Sequence, residues 1–213
     1  MERAIIVLFG VLLAVVAWAR IPRPRGRLFD LLGITLIMAL LVESYGTWCL
    51  AYRPTVPNSY AYNLYNLLEL ALLLLLFDTH RPRLRKWYLA AGGLVLVATG
   101  WSMTRYAPLE QLLTPVILVY ALTMTLLLMA LLWDLAQHSK VPLQRLPMFW
   151  LFMGLLVYFG GLAPIIGLTP YLLEIDEHLA ARAYLIMPVL GAIRYLLAAV
   201  ACSMERARRR AGT

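Results

Sequence analysis

Apolar residues fill this chain in long unbroken runs, and the polar residues collect between them. Seven runs can be read, approximately Ile5–Ala19, Phe29–Tyr52, Tyr60–Phe77, Trp87–Met103, Leu112–Ala136, Pro147–Leu168 and Leu179–Cys202. Each is about the length that crosses roughly 30 Å of hydrocarbon at 1.5 Å per residue. None shows the in/out alternation of a membrane barrel strand, and backbone groups in lipid must be satisfied within the segment, so the runs predict helices. The expected fold is all-α, a polytopic bundle of seven transmembrane helices forming one domain over residues 1–213.

Composition sharpens this picture. Hydrophobic residues make up 62% of the chain and charged residues only 14%, where soluble domains carry roughly a quarter charged. The basic residues then give an orientation. Arg20, Arg23, Arg25 and Arg27 lie in the first connection, Arg81, Arg83, Arg85 and Lys86 in the third, and Lys140 and Arg145 in the fifth. Arg206, Arg208, Arg209 and Arg210 follow the last run, while the other side carries only Arg3, Arg53, Arg105 and Arg182. This asymmetry predicts an outer N-terminus and a cytoplasmic C-terminus, and it makes the net charge of +8 mostly a topology signal. Short juxtamembrane clusters of this kind are expected to meet anionic lipid headgroups, and nucleic-acid binding is not expected.

The first run is read as a retained span. Ala17-Trp18-Ala19 has the small-x-small form of a cleavage site, but Glu2 and Arg3 cancel, and cleavage would leave four arginines to translocate. Cys49 and Cys202 fall toward opposite faces, so no disulfide within the chain is expected, and three scattered histidines give no metal-ligand spacing. No cofactor is expected, and the last run has no lysine for a retinal Schiff base. No linker or second domain interrupts the pattern. A faint echo at an offset of 115 residues, Trp18 with Trp133 and Tyr45-Gly46 with Gly160-Gly161, would make a 3+1+3 plan of the kind some transporters and receptors use.

Ionisable groups within spans are costly, so they are the first place to look for a site. Glu43, Glu69 and Arg194 are such groups. Glu43 and Glu69 fall at matched depths on adjacent spans, roughly 13 Å from the outer ends at 1.5 Å per residue. Facing one another, they require a proton or a shared cation. Tyr62, Asn66 and Glu69 are spaced by four and three residues, which puts them on one helical face with Tyr65 beside it, while Asn63 is rotated away. Arg194 either snorkels toward the inner face or extends to neutralise Glu69. The expected ligand-binding set is Glu43, Tyr45, Tyr62, Tyr65, Asn66, Glu69 and Arg194, and on this reading Glu69→Gln keeps the fold and removes only a charge. Gly154, Gly160, Gly161 and Pro164 predict close packing or a break in the sixth run, and Pro188 a kink in the seventh. Trp48, Tyr52, Tyr60, Trp101, Tyr106 and Tyr171 read as an aromatic belt, and Glu174, Asp176 and Glu177 as a solvated acidic loop.

The pattern Glu43-Ser-Tyr-Gly46, Asn58 and Tyr62-Asn63-Leu-Tyr65-Asn66-Leu-Leu-Glu69 resembles a family of small uncharacterised seven-span bacterial proteins with Glu…Gly and Tyr-Asn…Glu in their second and third spans. The resemblance implies a bacterial inner-membrane location and no particular activity. In plan the chain is also similar to the seven-span sensor regions of some bacterial histidine kinases, without a kinase domain. Hydrolase and metalloprotease motifs are absent, and spans four and five read as inert. The expected function is a receptor-like or sensor-like module binding a small ligand or cation in the outer half, working with a signalling partner. The alternatives are a small-solute or ion transporter with a transport partner, and an intramembrane enzyme using the paired carboxylates. The orientation is directly testable: a reporter fused after Arg210 is expected to be active only on the cytoplasmic side, and periplasmic activity there contradicts the seven-span arrangement.

Overall fold

The computed structural model describes residues 2–53, 58–105 and 113–212, with the side chains of residues 2–4 excepted. Among these residues the chain is all-helical and contains no strand. The long helices are α1 (Glu2–Ala19), α2 (Arg27–Tyr52), α3 (Ser59–His80), α4 (Arg85–Arg105), α5 (Thr114–His138) and α6 (Pro147–Ile175). A short α7 (Glu177–Tyr184) then runs into α8 (Ile186–Ala211). Prolines sit where helices begin, at Pro115 and Pro147, because the first turn has no use for the missing N–H.

Five segments are long and apolar enough to cross a membrane: α2, α3, α5, α6 and the α7–α8 segment Glu177–Ala211. This is the build of a multi-pass membrane protein. The apolar part of α1 is shorter, Ile5–Ala19, and α4 is less apolar, with three glycines and several hydroxyl side chains. The start expected for the fifth run, Leu112, and Tyr106 of the aromatic belt lie outside the described residues.

The sixth and seventh runs differ in detail from their sequence reading. α6 continues unbroken past Pro164 and Pro170 to Ile175, so of the two readings of this run, a break or close packing, the structure has close packing, with Gly154 against Leu197 and Gly161 against Leu190. The seventh run is divided instead, with Leu185 separating α7 from α8. Pro188 explains the position, since its ring displaces the N–H that would meet the carbonyl four residues earlier, at Tyr184. Asp176 caps α7 by accepting a hydrogen bond from the His178 N–H at 2.8 Å, which gives one member of the acidic loop a structural role.

Each helix packs on the next in sequence, and α8 closes the ring by lying between α6 and α1. Close approach at these two seams comes from small residues. A Cβ on Gly154 would stand 2.9 Å from the Leu197 Cβ and 3.0 Å from the Arg194 carbonyl oxygen, and one on Gly10 would stand 3.5 Å from Ala192. Trp18 lies over Gly33 of α2 and donates to the Phe29 carbonyl at 2.7 Å, whereas Trp133 is 69% exposed. The two tryptophans of the sequence echo therefore have different surroundings.

The basic connections gather at one end of the ring. There Arg25 donates to the Ile21 and Ala19 carbonyls at 3.0 and 2.8 Å and stacks 4.2 Å over Trp18. Arg209 pairs with Glu205 at 2.6 Å and also donates to the Pro24 carbonyl. Arg81 meets Asp134 at 2.5 Å, tying the end of α3 to α5. Trp48, Tyr52, Tyr60, Trp101 and Tyr171 are exposed around the other end, where amphipathic rings suit a membrane–water boundary.

The α6–α8 seam yields a prediction. Gly154→Val is expected to lower stability by about 1–3 kcal/mol, the usual range for overpacking. Gly93→Val, where a Cβ meets nothing within 4 Å, is expected to change it by less than about 0.5 kcal/mol. Equilibrium unfolding in mixed micelles measures both.

Candidate functional site

Two sites meet inside the ring, a buried polar cluster and a side cavity, and one tyrosine belongs to both. The cluster is centred on Glu69 of α3 and Arg194 of α8, which are 2% and 5% exposed and form an ion pair across the bundle interior. The same Glu69 oxygen, Oε1, accepts a hydrogen bond from the Tyr65 hydroxyl at 2.6 Å. Its other oxygen, Oε2, accepts from the Tyr120 hydroxyl of α5 at 3.2 Å. Arg194 is further enclosed by aromatic rings, with its guanidinium carbon 4.7 Å from the centre of Tyr158, 5.1 Å from Tyr195 and 5.8 Å from Phe159. A cation held over ring faces gains from their negative quadrupoles, and a desolvated site strengthens the effect.

Glu43 joins from the α2 side. It is half-buried, accepts from the Tyr62 hydroxyl at 3.3 Å, and lies close enough to Arg194 and Glu69 to interact with both charges. The Glu43…Gly46 spacing has a local cause. Gly46 stands one helical turn beyond Glu43, and any Cβ there would collide with the Tyr62 hydroxyl. The glycine thus makes the niche in which Tyr62 reaches the carboxyl group.

The structure brings Glu43, Tyr62, Tyr65, Glu69 and Arg194 together, and Arg194 takes the extended course toward Glu69. It separates the other two expected residues. Tyr45 is 41% exposed on the outside of α2, its ring 6.2 Å from Trp48. Asn66 makes no hydrogen bond to Glu69 or Arg194 and lines the side cavity instead.

That cavity lies between α3, α4 and α5 and has a volume of about 310 Å³. Leu67, Val95, Val116 and Ile117 supply much of its apolar wall, and Asn63, Asn66, Thr99 and Tyr120 its polar atoms. Asn63 Oδ1 accepts from the Leu113 N–H at 3.3 Å, which ties the start of α5 to α3. The Thr99 hydroxyl donates to the Val95 carbonyl at 2.8 Å. Spans four and five, expected to be inert, therefore build most of this cavity. Tyr120, Tyr158 and Tyr195 were not expected at the site; a tyrosine hydroxyl two turns into the apolar run of α5 was the available signal for Tyr120.

Among the described residues no three of His, Cys, Asp and Glu gather as a metal site. Cys49 and Cys202 are both buried and free. Both Glu69 oxygens are engaged, so this carboxylate is arranged to hold a neighbouring charge and two phenols in place. Toward the basic end the interior is closed by Leu73, Leu76, Phe77 and Phe152, all essentially inaccessible, with the last two rings edge to face at 5.8 Å. Comparison with protein-family models, curated proteins and solved structures finds no match to this chain.

The ion pair changes what substitution should do. Glu69→Gln leaves Arg194 uncompensated in a buried setting, so each of Glu69→Gln and Arg194→Met is expected to cost about 3–5 kcal/mol. The double variant is expected to cost less than their sum by about 2 kcal/mol or more. Unfolding free energies in mixed micelles check this, and strict additivity contradicts direct pairing.

Proposed function

We propose that this chain is a receptor-like module of seven spans, N-terminus outside and basic end in the cytoplasm, that binds a small ligand in the cavity between α3, α4 and α5. The observation that carries the proposal is the double role of Tyr120. Its ring forms part of the cavity wall, and its hydroxyl holds Glu69 Oε2 at 3.2 Å. A ligand that moves this ring alters the hydrogen bonding of the carboxylate that binds Arg194, and so reaches α8. Differential contact of this kind is what a ligand needs to shift a conformational equilibrium.

Two further features support binding over transport. The cavity opens toward the lipid-facing sides of α3 and α4, where Leu64 and Met103 are exposed. The apolar plug of Leu73, Leu76, Phe77 and Phe152 fills the interior on the basic side of Glu69, and a transported polar solute would have to cross it. The C-terminal end of α8, with Arg206, Arg208, Arg209 and Arg210 at the basic end, is the natural place for a cytoplasmic signalling partner to sense the helix, and anionic headgroups would gather there too.

The test uses wild-type protein and two tryptophan variants purified in lipid nanodiscs. Val116→Trp fills the cavity, and Leu122→Trp stands on the exposed side of α5. Mass spectrometry of solvent extracts is expected to find a small molecule retained by wild type and by Leu122→Trp and depleted in Val116→Trp. Identical extracts from all three contradict binding in this cavity.

A further inference from the structure

Among the described residues the cavity has no Asp, Glu, Lys, Arg or His in its wall. An isolated charge brought there would lose its hydration without a partner, which is prohibitive in an apolar surrounding. The wall does contain one polar group with unmet needs. Asn66 is half-buried seven residues into α3, about 10 Å along the helix, and its side chain has no hydrogen-bond partner among the described residues. A primary amide offers two donors and an acceptor, and at this depth neither lipid tails nor the helix backbone can meet them. Two further hydroxyl-bearing residues line the same space: Thr99 and Tyr120 donate to Val95 and Glu69, and each hydroxyl keeps acceptor capacity beyond the bond it donates.

From this combination we propose that the cavity binds a neutral amphipathic molecule, an alcohol or amide that arrives through the bilayer. Its apolar body lies against Leu67, Val95, Val116 and Ile117, and its hydrogen-bonding head meets Asn66. This rests on the binding reading above and adds the ligand class. The site size agrees with such a molecule, since about 310 Å³ accommodates on the order of ten non-hydrogen atoms at roughly 30 Å³ each. Access is lateral, because the rim residues Tyr60, Leu64 and Met103 are exposed. Size and neutrality exclude a whole phospholipid, whose charged headgroup belongs at the interface.

Photolabelling tests this with two defined probes, a medium-chain alcohol carrying a diazirine and the alkane of equal length carrying the same group. Full-length protein in phosphatidylcholine nanodiscs is irradiated with each, and the labelled residues are mapped. The alcohol is expected to label the walls of α3, α4 and α5 about five- to tenfold more than the alkane, the difference made by roughly one hydrogen bond, and excess unlabelled octanol should compete. Asn66→Leu is expected to reduce the alcohol to the level of the alkane while leaving the alkane unchanged, which also shows that the variant folds. Asn66→Ser retains a hydroxyl and should keep part of the preference.

The outcomes separate the two claims. Equal labelling by alcohol and alkane in the cavity, unaffected by Asn66→Leu, overturns the ligand class and leaves the site. Stronger labelling by a matched diazirine carboxylate or ammonium probe overturns neutrality. Absence of labelling in the cavity by either neutral probe overturns the binding reading itself.

Discussion

The Glu69–Arg194 pair sets the terms for the rest of this structure. A carboxylate and a guanidinium in the middle of an apolar ring have surrendered water, and each retains its charge there only through the other and through well-aligned neighbours. The surroundings follow from that need. Tyr65 and Tyr120 complete the hydrogen bonding of the two Glu69 oxygens, and Tyr158, Tyr195 and Phe159 enclose the cation. Gly154 lets α8 approach α6 at the level of the Arg194 carbonyl. The helices α3 and α8 are not neighbours around the ring, so the pair braces the bundle across its centre.

Such a brace is not the cheapest way to fill a core. Apolar residues of similar volume often match or exceed the stability of a buried ion pair. Its value here lies in geometry: removing or shifting one partner exposes a large penalty, and in the proposed reading this is how a small displacement of Tyr120 would be felt at α8. In that reading the side cavity would supply the displacement. One wall of it is α4, a helix that packs within the ring on α3 and α5 and shows open space around Gly93 and Gly100.

Much of this was legible in the amino-acid order. The long apolar runs gave the helices because hydrocarbon forces each segment to satisfy its own backbone, and five of the rods are long and apolar enough to cross a membrane. Glu43, Glu69 and Arg194 stood out because ionisable groups inside such runs are rare. The division of the α3 stripe was hidden by coarse reasoning about faces. At about 100° per residue, Asn66 stands about 60° from Glu69 and about 60° from Asn63, and that rotation is enough to turn it from the cluster into the cavity. Tyr120, Tyr158 and Tyr195 were less visible because tyrosine is common in membrane proteins for interfacial reasons, and only the three-dimensional packing shows which ones point at a charge. The break at Leu185 was misplaced by about a turn, since a proline disturbs the carbonyl before it more than its own position.

In the proposed mechanism, occupancy of the cavity is felt at Arg194 through Tyr120 and Glu69. The direct measurement is the guanidinium ¹⁵N resonance of Arg194 in nanodiscs, assigned by its loss in Arg194→Lys and followed during titration with octanol. The account predicts a saturable shift in wild type that is abolished in Tyr120→Phe, which keeps the ring and removes the hydroxyl. A shift of equal size in Tyr120→Phe, or an Arg194 resonance that stays fixed while octanol occupies the cavity, would contradict it.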